Sequence, residues 1–261
     1  MTKLQAHRGV SAEYPENTMV AFRAAVEQGY ALIELDPKYT ADGKIVLLHD
    51  RSLKRTARDG AGNGVDLPIA EITLAQAREY EYGSWFDGKF KGEPLPTLED
   101  VLDFSEKNPQ VPLKFDNVWN HFPPQIRTDF LREIGARGDR VNVGLTCASL
   151  QALAEGAEAL PHAALHYDGA DLREETLQKA AEIGKGHKLV FWICYDTPAT
   201  RWFRGERACT ELCDRVRKYG EIGFWLLAER EELREAICVF RADYVETNGK
   251  LKPQWVEEIL R

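Results

Sequence analysis

The chain of 261 residues is 44% hydrophobic and carries a net charge of −8. That balance argues against nucleic acid as a main partner, since a phosphate backbone calls for a basic face. No apolar run is long enough to cross a bilayer, M-T-K-L-Q-A-H-R-G shows no secretory leader, and Cys147, Cys194, Cys209, Cys213 and Cys238 are scattered as reduced thiols would be, so a cytoplasmic protein is expected.

In chain order, Leu4 to His7 reads as a short strand, and Pro15-Glu16-Asn17-Thr18 opens a helix capped by Asn17 or Thr18 and stopped at Gly29. Ala31 to Asp36 and Lys44 to His49 are extended runs around the turn Thr40 to Gly43. Parallel strands need a long crossover, which this connection cannot supply, so the regular rhythm breaks here. Residues from Arg51 to about Pro94 read as an insertion over one mouth, with a helical patch near Ile72 to Tyr80 and with Trp85 and Phe86 inside it. Thr97 caps the next helix.

Strands follow at Val111–Asp116, Arg140–Leu145, His162–Tyr167, Leu189–Tyr195, Gly223–Ala228 and Asp243–Thr247. Helices lie near Pro124–Ala136, Ser149–Glu158, Arg173–Ile183, Ala199–Tyr219 and Glu231–Phe240. Such alternation, in a chain near the usual barrel length of about 250 residues, predicts an α/β fold: a single (β/α)₈ TIM-type barrel, irregular around its second and third strands, with an insertion at roughly 51–95. Nine strand candidates are one too many for the ring, so one is wrong or lies outside it.

Glu34 and Asp36 alternate with Leu35 and so project together. Paired carboxylates repel, and a divalent cation with oxygen ligands relieves the cost. His7 and His49 each close an apolar run, which in a barrel puts them with Asp36 and Asp116 at the carboxyl-end mouth.

Five linked motifs, His7-Arg8-Gly9, Pro15-Glu16-Asn17-Thr18, Glu34-Leu35-Asp36, Thr40-Ala41-Asp42-Gly43 and His49-Asp50, resemble the glycerophosphodiester phosphodiesterases. The likeness resumes at Trp85-Phe86 and Leu95-Pro96-Thr97-Leu98, and more loosely near the end. It implies metal-dependent hydrolysis of glycerophosphodiesters to glycerol 3-phosphate and an alcohol. His7 and His49 would share acid and base work. Arg8 would grip the phosphate, and Glu34 and Asp36 would hold Ca²⁺ or Mg²⁺. Asp50, following His49 directly, reads as a support or turn residue, and His121, His162, His166 and His187 as structural or exposed.

The sequence departs from the family where it carries E-x-K, a third metal ligand followed by a phosphate-side lysine. The local stretch is Leu113-Lys114-Phe115-Asp116-Asn117-Val118. In one register Asp116 replaces the Glu and Val118 the Lys; in the other, Lys114 replaces the Glu and Asp116 the Lys. We take the first register, with Asp116 as the third ligand and Lys114 near the phosphate. The second would let the Lys114 ammonium compete with a cation and take over its electrostatic role. In the tail, Trp225 is kept from the family's W-T-V-N and is expected at the mouth, whereas Thr247-Asn248 replaces T-D. Two rivals to hydrolysis of small glycerophosphodiesters remain: a lysophospholipid-directed phosphodiesterase, and a phosphate-ligand binder without turnover. The partner is a small molecule in each case.

Overall fold

A computed structural model describes residues 1–261 apart from the side chain of Ala199. Eight parallel strands close into a barrel: β1 (Lys3–His7), β2 (Leu32–Leu35), β5 (Leu113–Phe115), β6 (Val143–Cys147), β7 (Ala164–Tyr167), β8 (Leu189–Cys194), β9 (Glu221–Trp225) and β10 (Tyr244–Thr247), with β10 closing on β1. The supernumerary candidate is resolved by β3 (Pro37–Tyr39) and β4 (Ile45–Leu47), an antiparallel pair outside the ring. The turn between them is too short for anything but a hairpin.

The outer layer begins with α1 (Met19–Glu27), α2 (Leu74–Ala77), α3 (Leu98–Lys107) and α4 (Pro124–Gly135). It continues with α5 (Leu150–Ala159), α6 (Glu174–Ile183), α7 (Thr210–Val216), α8 (Arg230–Cys238) and α9 (Gln254–Leu260). The hydroxyls of Thr18, Thr97 and Ser149 cap α1, α3 and α5 by accepting from Ala21, Asp100 and Ala152 backbone N–H groups. Each cap is worth about 1 kcal/mol.

Ring strands are covered on both faces, so their outward residues are continuous apolar packing for the helices: Ile33, Leu35, Leu113, Phe115, Phe191, Phe224 and Val245 belong to the main core. Inward residues start apolar at the amino end, with Leu32, Val190, Trp192 and Tyr244 filling the bottom. Beside and above these the inner positions turn polar, with Gln5, Glu34, Lys114, His166 and Glu246 all buried. Gly223 makes room for this filling, since a Cβ there would lie 2.6 Å from the Trp192 ring. Burial forces these polar groups to satisfy one another or a ligand.

Residues 51–95 carry a small apolar cluster of their own, including Leu53, Ala57, Ile69, Ala77 and Tyr82. The helical patch expected at Ile72 to Tyr80 is only the single turn α2, preceded by a 3₁₀ turn at Ile69–Glu71. The long helix expected over Ala199–Tyr219 is corrected to a 3₁₀ turn at Pro198–Thr200, an irregular loop and the short α7. The Thr200 hydroxyl donates to Tyr195 O at 2.6 Å, and Arg207 donates to the Thr200 and Phe203 carbonyls, which holds the loop folded instead of helical.

Candidate active site

The site starts where β1 ends. Arg8 and Gly9 both adopt left-handed backbone, φ 59° and 77°. A Cβ on Gly9 would lie 2.7 Å from Ala21 Cβ, so only glycine lets the turn pack on α1. The turn aims the Arg8 backbone N–H at Glu34 Oε2, 3.0 Å away, and its guanidinium at Asp36 (3.2 Å) and Glu16 (3.2 Å). Asn17, at φ 54°, grips Asp36 twice: its Nδ2 donates to Asp36 Oδ2 at 2.7 Å, and its Oδ1 accepts from Asp36 N at 3.1 Å. Of the two cap candidates Thr18 is the cap, and Asn17, at the helix start, braces the mouth through Asp36.

The two histidines are held alike. His7 Nδ1 lies 2.6 Å from Asn248 Oδ1, and His49 Nδ1 lies 2.6 Å from Asp50 Oδ1. An oxygen opposite Nδ1 puts the proton there and leaves Nε2 as the free nitrogen. Asp50 is a support residue, as expected: the chain bends at this point, and its carboxylate turns back and braces the ring. Arg55, from the 51–95 segment, bonds Asp50 at 2.8 Å and both oxygens of Glu16 at 2.8 Å. Those bonds outweigh burial and lower the Asp50 carboxyl to about 2.

Strand pairing places both β5 candidates on the inner face. Glu34 pairs with Lys114, and Leu35 with Phe115, so Lys114 stands level with Glu34 inside the barrel and Asp116 one rung further out. Val118 lies in a 3₁₀ turn against a different groove, with Tyr39 and Phe122. Lys114 is 4% exposed, with Nζ 3.5 Å from Glu246 Oε2 and 3.9 Å from the centre of the Trp192 ring.

The electrostatics follow from burial and crowding. Burial, then Asp36, Asp116 and Glu246, push the Glu34 carboxyl well above its usual range, with Lys114 opposing. Asp36 goes the other way: burial is outweighed by Arg8, His49, Lys38 and His7, and its carboxyl is held low. Asp116 is raised by burial and by Asp36. Asp168 is raised to about 7 by burial and then by Asp116, against a 2.6 Å bond from Asn117 Nδ2.

These groups line one cavity of about 280 Å³, which takes in His7, Arg8, Glu34, Asp36, His49, Lys114, Asp116 and Trp225. Sequence reading had not placed Asn117, Asp168, Trp192, Trp202 or Glu246 there. Inward parity could have found Trp192 and Glu246; no local signal marks Asp168 or Trp202. Trp202 is 69% exposed and stacks on Trp225 at 5.8 Å, with Phe203 edge-on to the same ring at 5.2 Å. Trp85 and Phe86 pack together within the 51–95 segment, Trp85 donating to Tyr82 O, and do not line this cavity. His166 is buried and accepts from Trp192 Nε1 at 3.0 Å; burial, then Lys114, keep it neutral. His162 is exposed, His187 meets Ala163 O, and His121 borders the groove of Val118.

The residues present do not fit the divalent cation that the resemblance implies. Glu34 and Asp36 already accept from Arg8 and Asn17, and the strand position beside Glu34 carries an ammonium instead of a third carboxylate. Among the described residues no three His, Cys, Asp or Glu side chains converge as an oxygen-loving cation requires.

A closed parallel barrel with two histidines, an arginine and several carboxylates gathered in one cavity at its carboxyl-end mouth defines a TIM-barrel protein with its site where such barrels carry theirs. The glycerophosphoryl diester phosphodiesterase family model matches residues 7–187, and the chain belongs to that family. It is 40% identical over 102 residues to a glycerophosphodiester phosphodiesterase of Caldanaerobacter subterraneus subsp. tengcongensis, covering 39% of this chain and 40% of that one. Against a Bacillus subtilis glycerophosphodiester phosphodiesterase it is 38% identical over 106 residues, covering 38% and 34%. The chain spans about two fifths of the length of the curated relatives it matches first. The fold is that of an Oleispira antarctica phosphodiesterase solved with the product sn-glycerol-3-phosphate (TM-score 0.74, 19% identity, 100% and 97% covered). It is also that of a Thermotoga maritima glycerophosphodiester phosphodiesterase (TM-score 0.65, 23% identity, 100% and 99% covered).

Proposed function

We propose that this protein hydrolyses glycerophosphodiesters, giving glycerol 3-phosphate and a free alcohol. The observation that carries this reading is the pair His7 and His49, each tied at Nδ1, lining the same cavity as Arg8. One imidazole takes the proton of the nucleophile as its oxygen bonds to phosphorus. Water gives glycerol 3-phosphate directly, whereas the neighbouring glycerol hydroxyl gives a cyclic phosphate that water opens in a second attack. The P–O bond to the alcohol breaks, and the other imidazole protonates the departing alkoxide. Arg8 donates to the phosphoryl oxygens as charge builds on them. No step is assigned to a metal ion.

The Trp202–Trp225 shelf at the rim supports a leaving alcohol with an apolar or cationic face, such as choline. The 51–95 segment serves as a fixed rim within a single domain, joined to the mouth through Arg55. The described residues include no helix long and apolar enough to cross a membrane, and five unpaired cysteines support a cytoplasmic location.

The test is release of glycerol 3-phosphate from glycerophosphocholine by the purified chain, assayed with Ca²⁺, with Mg²⁺ and with neither. Lysophosphatidylcholine runs in parallel. Faster turnover of the lysolipid would move the substrate class to lipids. Saturable binding of glycerophosphocholine with no product in any condition would replace the enzyme reading by that of a binder.

A further inference from the structure

We infer that Lys114 supplies, as a fixed ammonium group, the positive charge beneath the phosphodiester that the resemblance assigns to a divalent cation. Turnover then does not depend on Ca²⁺ or Mg²⁺. The inference rests on the phosphodiesterase reading for its chemistry, but not for its charge assignment.

The strand register carries the argument. Residues two apart on a strand share a face, so Lys114 and Asp116 repeat the spacing of the family's Glu and Lys with the charges exchanged. Pairing of Glu34 with Lys114 sets the ammonium level with Glu34, the first of the two carboxylates implied to hold the ion. Nothing lets that ammonium swing clear. Trp192 lies against it at 3.9 Å, Glu246 at 3.5 Å, and Glu246 is itself bound by Gln5 Nε2.

Two further cations crowd the same carboxylates. Arg8 Nε sits 3.2 Å from Asp36, and the buried Lys38 Nζ has no hydrogen-bond partner while feeling Asp36, Asp116 and Glu34. A doubly charged ion at the Glu34–Asp36 pair would meet the Lys114 and Arg8 charges, with that of Lys38 nearby, and among the described residues no third acidic side chain converges with the pair. A phosphodiester oxygen entering the cavity finds the Lys114 ammonium and the Arg8 guanidinium among its lining groups. An ammonium donates hydrogen bonds to such an oxygen and needs no exchangeable ion.

Two measurements on the intact chain test this. In the first, CaCl₂ and MgCl₂ are titrated calorimetrically into protein stripped with EDTA. The wild type is expected to give no saturable heat below about 1 mM ion. Saturable binding in that range overturns the inference, whether or not any diester is turned over. In the second, glycerophosphocholine hydrolysis is followed in EDTA and in each ion. The expected wild-type rate is the same within about twofold, whereas Lys114→Met loses about 100-fold or more and Lys114→Arg recovers part. Wild-type turnover lost in EDTA and restored by Ca²⁺, or full activity in Lys114→Met, also overturns it. Should Lys114→Met not fold, the wild-type titration decides. Absence of turnover on every diester strikes the phosphodiesterase reading alone, because the titration still reports on the charge.

Discussion

Asn17 holds Asp36 by two hydrogen bonds, side chain to side chain at 2.7 Å and Asp36 backbone to Asn17 Oδ1 at 3.1 Å. The contact fixes both the carboxylate and the strand end that carries it. Asn17→Ala is expected to remove both bonds and leave Asp36 N–H unsatisfied, costing about 1–3 kcal/mol of stability. Turnover should fall about 10- to 100-fold, as for other residues that orient a site. Thermal unfolding beside steady-state kinetics checks it, and an unchanged rate would relegate Asn17 to the helix start alone.

His7→Ala and His49→Ala should each lower kcat by about 10²- to 10⁴-fold with little change in KM, because each removes a proton carrier and not a binding contact. Equal loss in the double variant would mean that the two act as one unit. A rise confined to KM would place them in binding.

Asp168 is the site's pH-sensitive burden. Its carboxyl is raised from 3.8 to about 7 by burial first and Asp116 second. The folded chain therefore binds the proton more tightly than the unfolded one, so stability falls as pH rises from 3.8 towards 7 and is level beyond. Asp168→Asn keeps the acceptor for Asn117 and removes the charge. It should stabilise the protein by up to about 4 kcal/mol above pH 7, with no gain below pH 4. Unfolding in urea across that range tests the sign.

Trp202 offers an exposed indole stacked on Trp225. Trp202→Ala should raise KM for glycerophosphocholine several-fold, about 1 kcal/mol, and hardly alter it for glycerophosphoglycerol, which has no cation. Equal effects on both diesters would reduce the shelf to packing.

Gly9→Ala should destabilise the chain by about 1–3 kcal/mol, since the left-handed turn and the 2.7 Å approach to Ala21 both exclude a Cβ. Denaturant unfolding would show it, and a neutral result would mean that α1 can shift.

Alternation of short apolar runs with helical stretches was enough to read the barrel, because strand and helix periods are local properties of the chain. His7, Arg8, Glu34, Asp36 and His49 were legible as well, since they sit in short linked motifs at strand ends. Three things were not. Which of Lys114 and Asp116 faces Glu34 depends on pairing between β2 and β5, whose partners Glu34 and Lys114 lie 80 positions apart in the chain. A slip of one rung along an alternating strand leaves Leu113 and Phe115 outward in either reading, so the apolar pattern could not choose. The loop carrying Trp202 reads as helix by composition, yet hydrogen bonds from Thr200 and Arg207 fold it back onto Trp225. Asp168 and Asn248 reach the site from opposite parts of the chain, and their roles come from what the closed ring places beside them: Asn117 for one, His7 for the other. Local chemistry is written in neighbouring residues; which charges share a cavity is decided only when the barrel closes.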